Sequence, residues 1–283
     1  MSDRTELLAA YFTISGDVYP SGPSEVSPFA FKHRVEAAAR AGYSGIGLVH
    51  ADLMAVTDKL GFTETSRILE SNGIKHVEFE FLTDWYSSGE PRRASDKIRH
   101  ELLVAAQELG ARAFKVGPGI DESTAHIPQM VEEFGKLSEE AERHGTSIVL
   151  EIMPFSNVKT MDTALEIVRG ASHRSGKLLL DIWHLARGGI DFTDIAKVPV
   201  EFIGAVELDD ADEYPIEPLW DDTIHRRRVP GEGGLDITAF VRAIQAQGYT
   251  GPWGVEILSE NFRKQPLNEM AQRSFDASIR YFE

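Results

Sequence analysis

The chain has no cysteine, a shortage of basic residues and no long apolar run, and each lack closes off a class of function. Without cysteine there is no disulfide framework and no thiolate metal site. Lysine and arginine number 29 against 45 acidic residues, for a net charge of −16. A surface that negative repels phosphate backbones, so no nucleic-acid partner is expected, with the run Arg226–Arg228 the local exception. No stretch approaches the roughly 20 apolar residues of a membrane helix, so no membrane partner is expected either. The opening residues, MSDRTELLAAYF, lack the basic start and apolar middle of an export signal. The expected location is cytoplasmic.

What is present is an ordinary globular composition, 42% hydrophobic and 26% charged over 283 residues, enough for a full core. The most informative stretch is SIVLEIMPFSNVKTMDTALEIVRGASHRSGKLLLDIWH, residues 147–184. Two apolar runs, Ile148–Leu150 and Leu178–Leu180, each end in an acid, Glu151 and Asp181. One helix-length segment, Thr160–Ala171, lies between them. Strand, crossover helix and strand make the βαβ unit of a parallel sheet. The two acids are thirty residues apart. That matches the repeat of roughly 30 residues in an eightfold α/β barrel, whose chemistry sits at the C-terminal ends of its strands.

The same alternation runs through the chain. Strands are expected at 10–16, 45–50, 74–82, 111–117, 146–154, 177–184, 202–209 and 252–258. Helices are expected at 27–42, 51–73 with a break near Gly61, 92–110, 123–145, 160–171, 236–248 and 266–282, with a short one near 191–196. Eight such strands and no linker predict a single-domain (β/α)8 TIM barrel over residues 1–283. The longest irregular piece, 211–235, reads as a functional loop.

Four strands carry an acid at the same place: Glu151, Asp181, Glu207 and Glu256 on strands five to eight. Side chains alternate along a strand, so an acid in that place shares the inward rim with its counterparts. Four bare carboxylates gathered there repel one another. A divalent cation removes the repulsion, and all-oxygen ligation suits Mn²⁺ or Mg²⁺, with Co²⁺ a further choice. Lys115 ends strand four and is placed to contact a substrate oxygen or offset the acids, and Glu80 ends strand three beside it. His225 and Arg228 stand in the long loop as candidate contacts for a substrate hydroxyl or anionic group. Trp183 and the pair Trp85–Tyr86 are candidates for stacking on a sugar ring or for packing in the barrel mouth.

The chain resembles the sugar phosphate isomerase/epimerase family, the xylose isomerase-like barrels, over essentially its whole length. The resemblance is carried by LEIMPF with Glu151, LLLDIWHLARGG with Asp181 and His184, the turn VPGEGGLD at Val229–Asp236, and GPWGVEILSE with Glu256. It implies metal-ligand roles for Glu151, Asp181 and Glu256. At the third position relatives have His, or sometimes Gln, where this chain has Glu207. The resemblance also implies a catalytic or substrate-contacting role for His184.

The activity so implied is isomerisation or epimerisation of a sugar, keto-sugar or polyol through a metal-stabilised enediolate. Glu151 and Glu256 flank the substrate, one removing a proton and the other returning it. A metal-dependent lyase is the alternative, either a dehydratase or an eliminase of 3-keto-glycosides. Some dehydratases of the superfamily have His two residues after the first Glu, where this chain has Met153. A non-catalytic barrel subunit is the reading from another class. The partner expected is a small carbohydrate, and relatives that pair through barrel faces make a homo-oligomer a further expectation.

Overall fold

The structure, a computed structural model, describes residues 5–120 and 126–283. The expected start of the fourth long helix at Ser123 lies outside the described residues. The strands are β1 (Leu7–Ala9), β2 (Gly45–Val49), β3 (His76–Leu82), β4 (Ala113–Val116), β5 (Ser147–Glu151), β6 (Gly176–Asp181), β7 (Ile203–Leu208) and β8 (Trp253–Val255). They follow one another in sequence order around a closed parallel barrel, with β1 pairing back onto β8. The chain therefore has the (β/α)8 TIM barrel fold. Nearly every strand residue is buried, as expected of parallel strands covered on both faces.

The helices are α1 (Phe31–Ala41), α2 (His50–Ser71), α3 (Gly89–Leu109), α4 (Ile127–Arg143), α5 (Met161–Ala171), α6 (Ile182–Arg187), α7 (Leu219–Arg226), α8 (Ile237–Ala246) and α9 (Leu267–Ile279). The break expected in α2 falls at Gly61, whose φ of 74° and ψ of 161° are not helical. No helix among the described residues is long and apolar enough to cross a membrane.

Two compact units can be distinguished. The first takes in Met1–Glu78, Glu207–Val241 and Gly251–Glu283. In it α1 packs on α9, and just past α1 the Tyr43 ring meets the Phe275 ring with centroids 5.2 Å apart. Gly42 closes α1 with a φ of 114°, and a Cβ there would stand 2.6 Å from the Phe275 ring. Glycine is thus required at this helix end both by backbone conformation and by packing.

The second unit takes in Phe79–Val206 and Arg242–Thr250. Its interior is filled by Ala113, Val149, Leu179 and Ala205, one residue each from β4 to β7. Thr160 caps α5, its side chain accepting from the Thr163 N–H at 3.2 Å.

Several segments depart from the sequence expectation, and the fifth and eighth strands stop three residues early, at Glu151 and Val255. The first strand is earlier and shorter, and Tyr11–Thr13 form a 3-10 turn. The Thr13 hydroxyl explains the change: it donates to the Val255 carbonyl at 2.6 Å and accepts from the Ile257 N–H at 2.9 Å, replacing ladder bonds. The sixth strand stops at Asp181, because that side chain accepts from the His184 N–H at 2.9 Å and starts α6. Inside the long loop at 211–235, Leu219–Arg226 form α7.

Candidate metal centre and substrate pocket

The barrel interior sets the direction of the site residues. Side chains two apart on a strand share a face. Moving two places beyond Ala113, Val149, Leu179 and Ala205 gives Lys115, Glu151, Asp181 and Glu207. All four are buried, although they are charged. Glu256 stands one residue past β8, and its N–H donates to the Leu208 carbonyl at 3.0 Å.

In the second unit Glu151, Asp181 and His184 each bring a ligand-capable atom within 4.8 Å of the others. The His184 ring nitrogen Nε2 lies 3.3 Å from Glu151 Oε1. Its ring is set edge-on to those of Trp183 and Phe155, at centroid distances of 5.0 and 5.8 Å. Trp183 is fully buried and serves as packing for this histidine. Lys115 Nζ and Glu80 Oε2 form a buried ion pair at 3.1 Å. Trp85 is buried too, its indole N–H donating to the Gly117 carbonyl at 2.7 Å, and Tyr86 OH accepts from Asn157 Nδ2 at 2.8 Å. That pair is core rather than an exposed stacking platform.

In the first unit the buried guanidinium of Arg227 organises the acids. It donates from Nη1 to Asp209 Oδ2, lies 3.2 Å from Glu256 Oε2, and donates from Nε to Thr223 Oγ1 at 3.1 Å. Sequence reasoning favoured Arg228 over Arg227 and missed Thr223, while Asp209 was legible as a second acid on the face of Glu207. The available signal was the acid two residues after Glu207, which needs a buried cation on the same face.

His225 and Arg228 go elsewhere. Both line a polar cavity of about 370 Å³ with Asp221, Arg226, Ser259 and Asn261. Arg228 Nε donates to Asp212 Oδ1 at 2.9 Å, and His225 Nδ1 lies 3.0 Å from Arg263 Nη1.

Asp210 fixes the turn that follows. Its carboxylate accepts from the N–H groups of Ala211, Gly231, Gly233 and Leu235 at 2.8, 2.9, 2.9 and 3.0 Å. A Cβ at Gly233 would stand 2.4 Å from Asp210 Oδ1, so the acceptor needs glycine there. Replacing Asp210 with Ala strips the acceptor from several N–H groups and is expected to cost about 2–3 kcal/mol, read as a lower urea midpoint.

In the first unit Glu207 and Glu256 offer carboxylate oxygens within 4.8 Å of each other, as Glu151 and Asp181 do in the second, and all four residues are buried. Two negative charges at that spacing out of water, in each unit, are strongly unfavourable without a cation. Arg227 supplies one positive charge and shares it with Asp209. The remaining excess, and the all-oxygen donor set, fit a divalent ion.

Comparison with known proteins agrees with this architecture. The chain is 27% identical over 242 residues to a 3-dehydroshikimate dehydratase of Pseudomonas aeruginosa, covering 84% of this chain and 38% of that protein. It is 26% identical over 146 residues to an inosose isomerase of Halalkalibacterium halodurans, covering 51% of each. It therefore spans at most about half the length of these curated relatives. Among solved structures, the IOLI protein with a zinc atom superposes with a TM-score of 0.85 at 20% identity, covering 98% of this chain and 97% of that one. At that identity the likeness is one of fold. The sequence family itself is matched over residues 35–281, nearly the whole barrel, and the chain belongs to the xylose isomerase-like TIM barrel family.

Proposed function

We propose that this chain is a divalent-metal-dependent isomerase or epimerase of a small keto-sugar or polyol, with Mn²⁺ or Mg²⁺ as the ion. The observation that carries the reading is that each unit buries a close pair of carboxylates, Glu151 with Asp181 and Glu207 with Glu256. These are the residues that would hold the ion. When bound, it supplies positive charge against substrate oxygens and so acidifies the C–H beside a carbonyl.

The proton work falls to the chain's own side chains. Glu151 and Glu256 are held by different partners: His184 at 3.3 Å for the first, Arg227 at 3.2 Å for the second. Arg227 keeps its charge at any working pH and fixes the Glu256 carboxylate in orientation. His184, whose ring nitrogens can donate or accept a hydrogen bond, is placed to orient the Glu151 carboxylate. One acid removes the proton and the other returns it. Lys115, held by Glu80, serves as a donor to a substrate oxygen.

Loss of a β-hydroxyl after the same proton abstraction gives a dehydratase, and the 3-dehydroshikimate dehydratase relatives favour this second reading. Turnover in heavy water separates the two. The leading reading expects a deuterium on product carbon, no release of water, and loss of turnover when a chelator strips the protein. Unsaturated product assigns the lyase. Full turnover in chelator rejects metal dependence.

A further inference from the structure

We infer that Glu207 makes the carboxylate cluster a selector for hard, oxygen-preferring divalent ions over zinc, while Arg227 holds the neighbouring acids Asp209 and Glu256 in place. Such selectivity presupposes the metal-dependent reading above and adds what decides which ion is kept.

Glu207 is fully buried on β7, in register with Gly254 of β8. Glu256 is two residues beyond Gly254, and Asp209 two residues beyond Glu207. The Arg227 guanidinium touches both Asp209 and Glu256. An arginine can do this because its five donors are fixed in a plane and its charge is permanent. Thr223 Oγ1 accepts from Arg227 Nε and Nη2 at 3.1 and 2.9 Å, which fixes the fork in place.

The donor chemistry follows from the residue types. Four carboxylates present oxygen alone and carry four negative charges, twice what a divalent ion cancels. Oxygen donors suit magnesium and manganese, whereas zinc gains most from imidazole and thiolate donors. A single nitrogen donor in place of Glu207 changes both quantities at once: it removes one charge and adds a borderline ligand. The chain keeps the acid, and the charge of Arg227 is matched by Asp209.

The test uses the full chain stripped of metal, titrated calorimetrically with Mn²⁺ and separately with Zn²⁺. Two variants are compared with the parent, Glu207→His and Glu207→Gln. In Glu207→His the preference for zinc over manganese is expected to grow at least roughly tenfold. In Glu207→Gln, which keeps an oxygen but loses the charge, both affinities are expected to fall roughly tenfold with their ratio unchanged within about threefold. An unchanged ratio in a folded Glu207→His protein overturns the inference and leaves the metal reading standing. Unaltered affinities in Glu207→Gln overturn it as well, because Glu207 is then not a donor. A parent protein that binds neither ion rejects both, and places the fault in the metal reading.

Discussion

Replacing Glu256 with Gln is expected to lower kcat by at least about a hundredfold while leaving the protein folded. The reason is local. Glutamine has nearly the same shape, and its side-chain carbonyl can still accept from the Arg227 guanidinium that now lies 3.2 Å from Glu256 Oε2. Arg227 also keeps Asp209 and Thr223, so no buried charge is orphaned. What disappears is a carboxylate able to take a proton and one of the acids proposed to hold the ion. The checks are turnover on a keto-sugar panel, the urea midpoint and metal content per chain. Low turnover with metal retained assigns the loss to proton transfer. Low turnover with metal lost assigns it to ligation. Full turnover removes Glu256 from the mechanism.

Replacing Arg34 with Met is expected to destabilise the fold by about 3–5 kcal/mol. Arg34 on α1 and Asp52 on α2 form an ion pair at 2.5 Å, and both residues are 1% exposed. Asp52 also accepts from the Ser27 N–H at 2.9 Å, which ties down the segment between β1 and α1. Beside them burial, aided by the Asp52 charge, pushes the Tyr11 hydroxyl far above the usual tyrosine range. Tyr11 therefore stays a neutral donor, and it reaches the Glu25 carbonyl at 2.5 Å. Removing the guanidinium strands a buried carboxylate in this neighbourhood, and that accounts for the size of the effect. The urea midpoint should fall with the slope unchanged. Replacing Asp52 with Leu in the same protein should recover much of the loss, because a buried pair is worth less than the cost of breaking it. A single variant as stable as the parent would show that the pair contributes nothing.

The sequence carried the fold because its signals are local and repeated. Apolar runs such as Ile148–Leu150 and Leu178–Leu180, each closed by an acid and separated by one helix, state a parallel crossover without reference to the rest of the chain. The same runs marked Glu151, Asp181, Glu207 and Glu256, since alternation along a strand determines the face on which a side chain lies. Tertiary structure decided what depends on neighbours distant in sequence. Whether Arg227 or its neighbour Arg228 turns inward was invisible in the run of three arginines, because the choice is made by Asp209 and Thr223 on one side and Asp212 on the other. Trp85 and Trp183 could not be separated from exposed stacking groups by composition, since an aromatic ring reads alike in core and mouth until its N–H partner or packing neighbour is known. Periodicity, which is intrinsic to the chain, specified the barrel and its acids. Charge pairing across the fold, which no short stretch encodes, specified how those acids are held.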